Sequence, residues 1–240
     1  MSRFVYGVNP VLEALRAHPS DVLRVLVEAR RSHGGHKVAA AASEAGVLVE
    51  TISAGDLSRR ARGGVHQGVG AELAEFQYAE LEDLLAAPGP AFLLVLDGVT
   101  DPQNLGALVR SAHALGAGGV VLPKDRAAGV TPAVFKAAAG ALEHCPVARV
   151  TNLARAVEQM KEAGVWTVAL AADGEKDLES LDLSGPIALV LGSEGSGVRP
   201  LVRKTCDHVA RIGMAGNVGS LNVSAAGAIA LHEVARKRKK

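Results

Sequence analysis

Three short stretches of this 240-residue chain place reactive or hydrogen-bonding side chains directly after apolar runs. VTDPQNLGALVRSAHALG follows FLLVLDG and carries Asn104 and Arg110. GSEGSGVRP follows the strand-like IALVL and sets Glu194 among Gly192, Gly195 and Gly197. GMAGNVGSLNVSAAG follows HVARI and gathers Asn217, Ser220, Asn222 and Ser224 around three glycines. A guanidinium in an otherwise apolar helix needs a partner, and Glu194 is the natural candidate for Arg110. A glycine loop before a helix commonly cradles phosphate. Here no Lys-Ser/Thr follows either glycine loop, the spacing fits no dinucleotide fingerprint, and Glu194 has the wrong sign for an anion. The neutral amides and hydroxyls of the third stretch suit an uncharged polar ligand such as a purine edge or a ribose.

The elements around these stretches read as two α/β segments. Helix 10–17 follows Asn9, its N-cap, with Pro10 at the first helical position. Strands 21–28, 47–51 and 69–73 alternate with helices 36–45 and 56–62. Residues 76–90, locally acidic and ending in Pro-Gly-Pro, read as a linker between domains 1–75 and 91–240. Beyond it, strands 92–96, 119–122, 147–150, 167–171, 187–191 and 209–212 are apolar runs. Helices 105–115, 132–141, 153–163, 199–204 and 225–237 alternate with them. Apolar strands without alternation predict a parallel sheet covered on both faces, with ligands beyond the strands' carboxyl ends.

Composition narrows the function. With 48% hydrophobic residues, 3% aromatics and a formal net charge of +1, the chain forms a sizeable core. It lacks both an aromatic stacking surface for bases and the basic excess of a bulk polyanion binder, so nucleic-acid contact must come from local patches. Arg30, Arg31, Lys37, Arg59, Arg60 and Arg62, expected in loops of the first domain, are candidates for phosphate contact; Lys124 and Arg126 at a strand end are others. The basic tail 236–240 is either an RNA-touching arm or solubility charge. His33 and His36 without further ligands make no metal site. Cys145 and Cys206 have no disulfide or metal spacing. With no signal peptide and no apolar stretch long enough to span a bilayer, a soluble cytoplasmic protein is expected.

Taken together and in order, Asn…Arg, Gly-x-Glu-Gly and Ser-Leu-Asn-Val-Ser resemble the SpoU-type RNA ribose 2′-O-methyltransferases of the SPOUT class. FVYGVNPVLEAL and GGVHQGVGAEL are similar to that family's N-terminal substrate-binding domain, an L30e-like α/β fold. LDGVTDPQNLGALVRSA and LPKDRAAG bring the likeness nearest to the bacterial 23S rRNA guanosine methyltransferases. The resemblance implies S-adenosyl-L-methionine as cofactor, a C-terminal parallel-sheet domain with a deep trefoil knot at about 187–237, and an active site completed across a homodimer. It assigns cofactor contacts to Gly192, Ile212 and Leu221, with Met214, Gly195 and Asn217 in the same loops. It assigns catalysis to Arg110, supported by Asn104, Glu194, Asn222, Ser220 and Ser224. The implied substrate is 23S rRNA or a ribosomal precursor. Methylation of tRNA and an inactive RNA-binding scaffold are the alternatives.

Overall fold

The computed structural model describes residues 3–30, 32–216 and 219–238, which form two compact units. The first comprises residues up to 77 together with 130–144. It contains β1 (Arg3–Tyr6), α1 (Val8–Ala17), β2 (Val22–Glu28), α2 (His33–Glu44), β3 (Val49–Ile52), α3 (Ala54–Arg60) and β4 (Val69–Leu73). The sheet order is β1-β4-β2-β3, antiparallel except for the β2–β3 pair. Helix α1 buries Val11, Leu12, Ala14 and Leu15, and α2 buries Val38, Ala39 and Ala42. The four-residue strand β1 carries too short a pattern to stand out in the sequence. The cap expected at Asn9 is not used: α1 starts before it, at Val8, after Gly7.

The second unit continues the chain with α4 (Leu81–Leu85), β5 (Phe92–Asp97), α5 (Pro102–Ala114) and β6 (Gly119–Pro123). Helix α6 (Pro132–Ala138) groups with the first unit. Then come β7 (Val147–Val150), α7 (Leu153–Glu162), β8 (Trp166–Leu170), β9 (Lys176–Asp177), β10 (Ile187–Gly192), α8 (Pro200–Thr205), β11 (His208–Arg211) and α9 (Val223–Arg238). Seven strands form one sheet in the order β7-β6-β5-β10-β8-β11-β9, every pair parallel. The expected strands all lie in it; β9, only two residues long, was not expected.

Both faces of this sheet are covered, which is why its strands read as unbroken apolar runs. Leu93 and Val95 pack with Val157 and Met160 of α7 and Val202 of α8. On the opposite face α5 packs on α9, and α9 on β10. That contact is close because residue 227 is glycine: a Cβ there would sit 2.2 Å from Leu108 Cδ2. Two helices that both start from the sheet's carboxyl ends are thereby held together.

The basic tail begins as structure. Lys237 Nζ donates to the carbonyls of Glu179 (2.6 Å) and Leu181 (2.5 Å). Arg238 donates to those of Ala91 (2.7 Å) and Gly185 (2.6 Å) and covers the Phe92 ring. These two side chains are therefore tied to the domain and are neither a free arm nor loose solubility charge; Lys239 and Lys240 lie outside the described residues.

The start of β11 is tied to β8 by Asp207. Its Oδ2 accepts from Thr167 N (2.9 Å) and Oγ1 (2.7 Å), and its Oδ1 pairs with Lys161 (3.0 Å). Burial alone would raise this carboxyl, but the Thr167 and Lys161 bonds outweigh it and hold it below its ordinary value of 3.8. A depressed carboxyl stabilises the fold above its unfolded value and loses that contribution as pH falls through the folded one. Asp207→Asn should lower Tm at neutral pH by a few degrees, and the gap to the wild type should close below the ordinary carboxylate range. Calorimetry across pH checks this; a gap that does not change with pH sinks the assignment.

Candidate active site

The carboxyl ends of β5, β10 and β11 bring the three polar stretches together. After β5, Asp101 caps α5 by accepting from Gln103 N (3.1 Å), with Pro102 at the first helical position. Because Asp101 takes the capping role, Asn104 in the first turn is left for other partners. It is buried, and its Nδ2 donates to Glu194 Oε1 at 2.9 Å. Asn222, just ahead of α9, donates Nδ2 to the same oxygen at 2.7 Å and to Asn104 Oδ1 at 3.2 Å. Its own Oδ1 accepts from Ser224 N (2.9 Å) and Ser224 Oγ (2.5 Å). Asn222 therefore caps α9 and joins the Glu194 cluster at once, which fixes its rotamer.

Glu194 reaches these amides from the tip of a closed loop. Ser193 and Gly197 exchange backbone hydrogen bonds of 3.2 and 3.0 Å, and Gly195 turns with φ of 91°, a conformation that favours glycine. At Gly192 the returning chain lies so close that a Cβ would fall 1.8 Å from the Gly197 carbonyl carbon. Glycine is required there by contact, not by flexibility.

Two residues that the sequence reading did not single out anchor this loop. Asp97, at the end of β5, has a fully buried side chain; its Oδ1 accepts from Arg199 Nε (2.6 Å) and its Oδ2 from Arg199 N (2.8 Å). The available signal was a carboxylate ending an apolar strand, which must find a partner when buried.

Beside the cluster, a pocket of about 140 Å³ opens at the carboxyl ends of β8 and β11, lined by Leu170, Ala171, Ile212, Met214, Ser220 and Leu221 among others. Ile212, Leu221 and Met214, the implied cofactor contacts, thus share one wall. Gly192 and Gly195 shape the neighbouring loop instead of lining this pocket, and Asn217 lies outside the described residues. Ser220 faces the pocket, whereas Ser224 serves the α9 cap.

One expected contact is absent. Arg110 is exposed on α5 and makes no ion pair among the described residues, while Glu194 is occupied by two amides. Six residues along a helix turn Arg110 well away from the Asn104 side and carry it about 9 Å further on.

The basic candidates in the first unit divide into committed and open ones. Arg59 and Arg60 lie in the last turn of α3, not in a loop, and pair with Asp56 and Glu72. Lys37 belongs to α2 and is exposed; Arg30 and Arg62 are exposed outside the helices, and Arg31 lies outside the described residues. Lys124 and Arg126, in the second unit, are exposed after β6. Burial pushes the Cys145 and Cys206 thiols up to about 12, so neither supplies a thiolate nucleophile. Among the described residues no group of three or more His, Cys, Asp or Glu could hold a metal ion, and no helix is long and apolar enough to cross a membrane.

The second unit thus carries, at the carboxyl ends of an all-parallel seven-stranded sheet, a carboxylate–amide cluster and a largely apolar slot beside it. The SpoU methyltransferase AviRb from Streptomyces viridochromogenes, solved with S-adenosylmethionine, matches 99% of this chain and 91% of its own, at 26% identity and a TM-score of 0.83. Residues 91–232 match the SpoU rRNA Methylase family, and residues 4–79 match the RNA 2′-O ribose methyltransferase substrate-binding family. The chain belongs to the SpoU rRNA methylase family. It is similar to the 23S rRNA (guanosine-2′-O-)-methyltransferase RlmB of Pseudomonas syringae pv. tomato, 44% identical over 239 residues, covering 98% of this chain and 95% of that one. An uncharacterized tRNA/rRNA methyltransferase of Mycolicibacterium vanbaalenii is 42% identical over 243 residues, covering 99% of this chain and 77% of that one.

The enzyme is therefore an RNA ribose 2′-O-methyltransferase dependent on S-adenosyl-L-methionine. The slot suits the adenine part of this cofactor: Leu170, Ile212, Met214 and Leu221 offer apolar surface to a ring, Ser220 offers a hydroxyl, and among the described residues no charged side chain lines it. Asn222→Ala should remove the α9 cap, costing about 1 kcal/mol, and release Glu194, lowering methyl transfer by up to about 100-fold through misplacement. Thermal denaturation and a tritium-transfer assay read the two effects. Unchanged transfer alongside a lowered Tm would leave the cluster with a structural role only.

Proposed function

We propose that this protein methylates the 2′-oxygen of a guanosine in 23S rRNA, acting as a cytoplasmic homodimer. The observation that carries the reading is the Glu194–Asn104–Asn222 cluster beside a neutral nucleoside slot. Such a site can place an uncharged ribose hydroxyl against a nucleoside cofactor that itself carries no phosphate. The 44% identity to an enzyme named for this reaction supports the substrate. The match of residues 4–79 to a substrate-binding family supports RNA recognition by the first unit.

When bound, S-adenosylmethionine supplies an electrophilic methyl group on a sulfonium. The residues do the rest. Asn104 and Asn222, held by Glu194, orient the target ribose. Arg110 carries a guanidinium with hydrogen-bond donors and no acceptor, so it clamps the adjacent phosphate and stabilises negative charge developing on the 2′-oxygen. Positioning the two reacting atoms together accounts for several kcal/mol of the barrier.

Arg110 is exposed and turned from its own Glu194, which supports an active site completed across two copies, with Arg110 serving the partner's cluster. The path of the chain supports a trefoil knot at about 187–237. β10 lies between β5 and β8, and α9 returns from β11 to pack on β10 and α5.

Arg110→Ala should reduce methyl transfer by about 1,000-fold or more while S-adenosylmethionine affinity stays within a few-fold by calorimetry; loss of cofactor binding would contradict the role. Mapping label from tritiated cofactor over separated 23S, 16S and transfer RNA tests the substrate, and label in tRNA alone would move the assignment there. Mixing the impaired Arg110→Ala and Asn222→Ala chains should raise activity above that of either variant alone if the site is shared, and leave it at their average if each protomer is self-sufficient.

A further inference from the structure

We propose that a second cavity at the same end of the sheet seats a phosphodiester of the RNA strand, held by Arg126 and Arg199. The proposal rests on RNA being the substrate and adds where the strand is gripped. The cavity, about 290 Å³, opens beyond the carboxyl ends of β6 and β7, bounded by Pro123, Arg126, Asn152 and Arg199, with Asp125 also in its lining.

It adjoins the active site through the turn after β5. A Cβ at Gly98 would lie 3.6 Å from Ser193 Cβ, next to Glu194, and 3.7 Å from the Arg126 carbonyl oxygen. Ala128 N also bonds to Val99 O at 2.8 Å. The cavity and the Glu194 loop are therefore the two sides of one short turn, a separation suited to a ribose and a neighbouring phosphate on one strand.

The chemistry is that of an anion seat. Arg199 commits its Nε and backbone N to buried Asp97, so the guanidinium plane is fixed while its two terminal nitrogens have no partner among the described residues. An arginine clamped along one edge is pre-organised to offer the other to phosphate oxygens. Arg126 makes no ion pair among the described residues, and its backbone is held at φ of 58°, uncommon for a non-glycine residue. Leu153 and Ala154, in the first turn of α7, line the cavity too, and that helix end adds its partial positive charge. Both Asp97 oxygens are occupied, which leaves Asp125 as the opposing charge in the lining. The nucleoside slot has a different lining altogether, drawn from residues 170–172, 212, 214, 220–221 and 226.

The test uses the full-length protein and a 23S rRNA transcript, with filter binding measured over a range of salt concentrations. Arg126→Gln should weaken binding by about tenfold and make the salt dependence shallower by about 0.7 to 0.9 in log–log slope. Asp125→Asn, which removes the opposing charge, should tighten binding at low salt. Both should keep wild-type Tm and S-adenosylmethionine affinity. If both variants bind like wild type with unchanged slope, the cavity is not a phosphate seat. If Arg126→Gln instead loses S-adenosylmethionine affinity, the arginines hold the cofactor's carboxylate and the proposal falls. A wild-type protein that binds no RNA would overturn the substrate reading itself, an outcome separate from wild-type binding with unmoved variants.

Discussion

One carboxylate oxygen organises this enzyme. Glu194 Oε1 accepts an amide proton from Asn104 at 2.9 Å and another from Asn222 at 2.7 Å, so a loop and two helices meet on a single atom. Both amides stand at helix beginnings: Asn104 in the first turn of α5, Asn222 just ahead of α9. Helix N-termini carry partial positive charge and favour a nearby anion. Here the anion is built into the chain. A carboxylate that looks misplaced in a glycine loop has the right sign for the two helix ends that converge on it.

The remaining packing keeps that meeting point in place. Glycine at 227 lets α9 lie against Leu108 of α5, and glycine at 192 lets the loop's return strand pass in direct contact. Asp97 receives the loop's exit through two bonds from Arg199. Far along α9, Lys237 and Arg238 bond to carbonyls of the domain. A displacement at any of these would shift the amides relative to Glu194, and catalysis by positioning loses rate steeply with such shifts.

Charge is distributed unevenly between the two cavities at the strand ends. Among the described residues no charged side chain lines the slot beside Leu221, whereas Arg126 and Arg199 line the adjoining cavity. A chain with a formal net charge of only +1 can hold RNA this way, because short-range charge-assisted bonds depend on local arrangement and not on the total.

Much of the fold was legible in the sequence, and so were the three polar stretches that the structure brings together at the strand ends. Apolar runs marked the buried strands, glycine and proline marked the turns, and the order of three polar stretches pointed to a SpoU-type methyltransferase. These signals are local, set by side-chain type within a few residues. What sequence spacing could not supply was partnership between distant residues. It paired Glu194 with Arg110 because opposite charges attract, but the fold gave Glu194 to two amides 90 and 28 residues away and turned Arg110 outward. It passed over Asp97 and Arg199, 102 residues apart, and left Arg59 and Arg60 open for phosphate where Asp56 and Glu72 hold them. It gave no sign that residues 130–144 would join the first unit. The sequence by itself determined which segments become strands, helices and reactive loops, because burial and backbone preference act residue by residue. Only the tertiary structure decided which donor meets which acceptor, because a hydrogen bond depends on position to within a fraction of an ångström, and strand order sets that position.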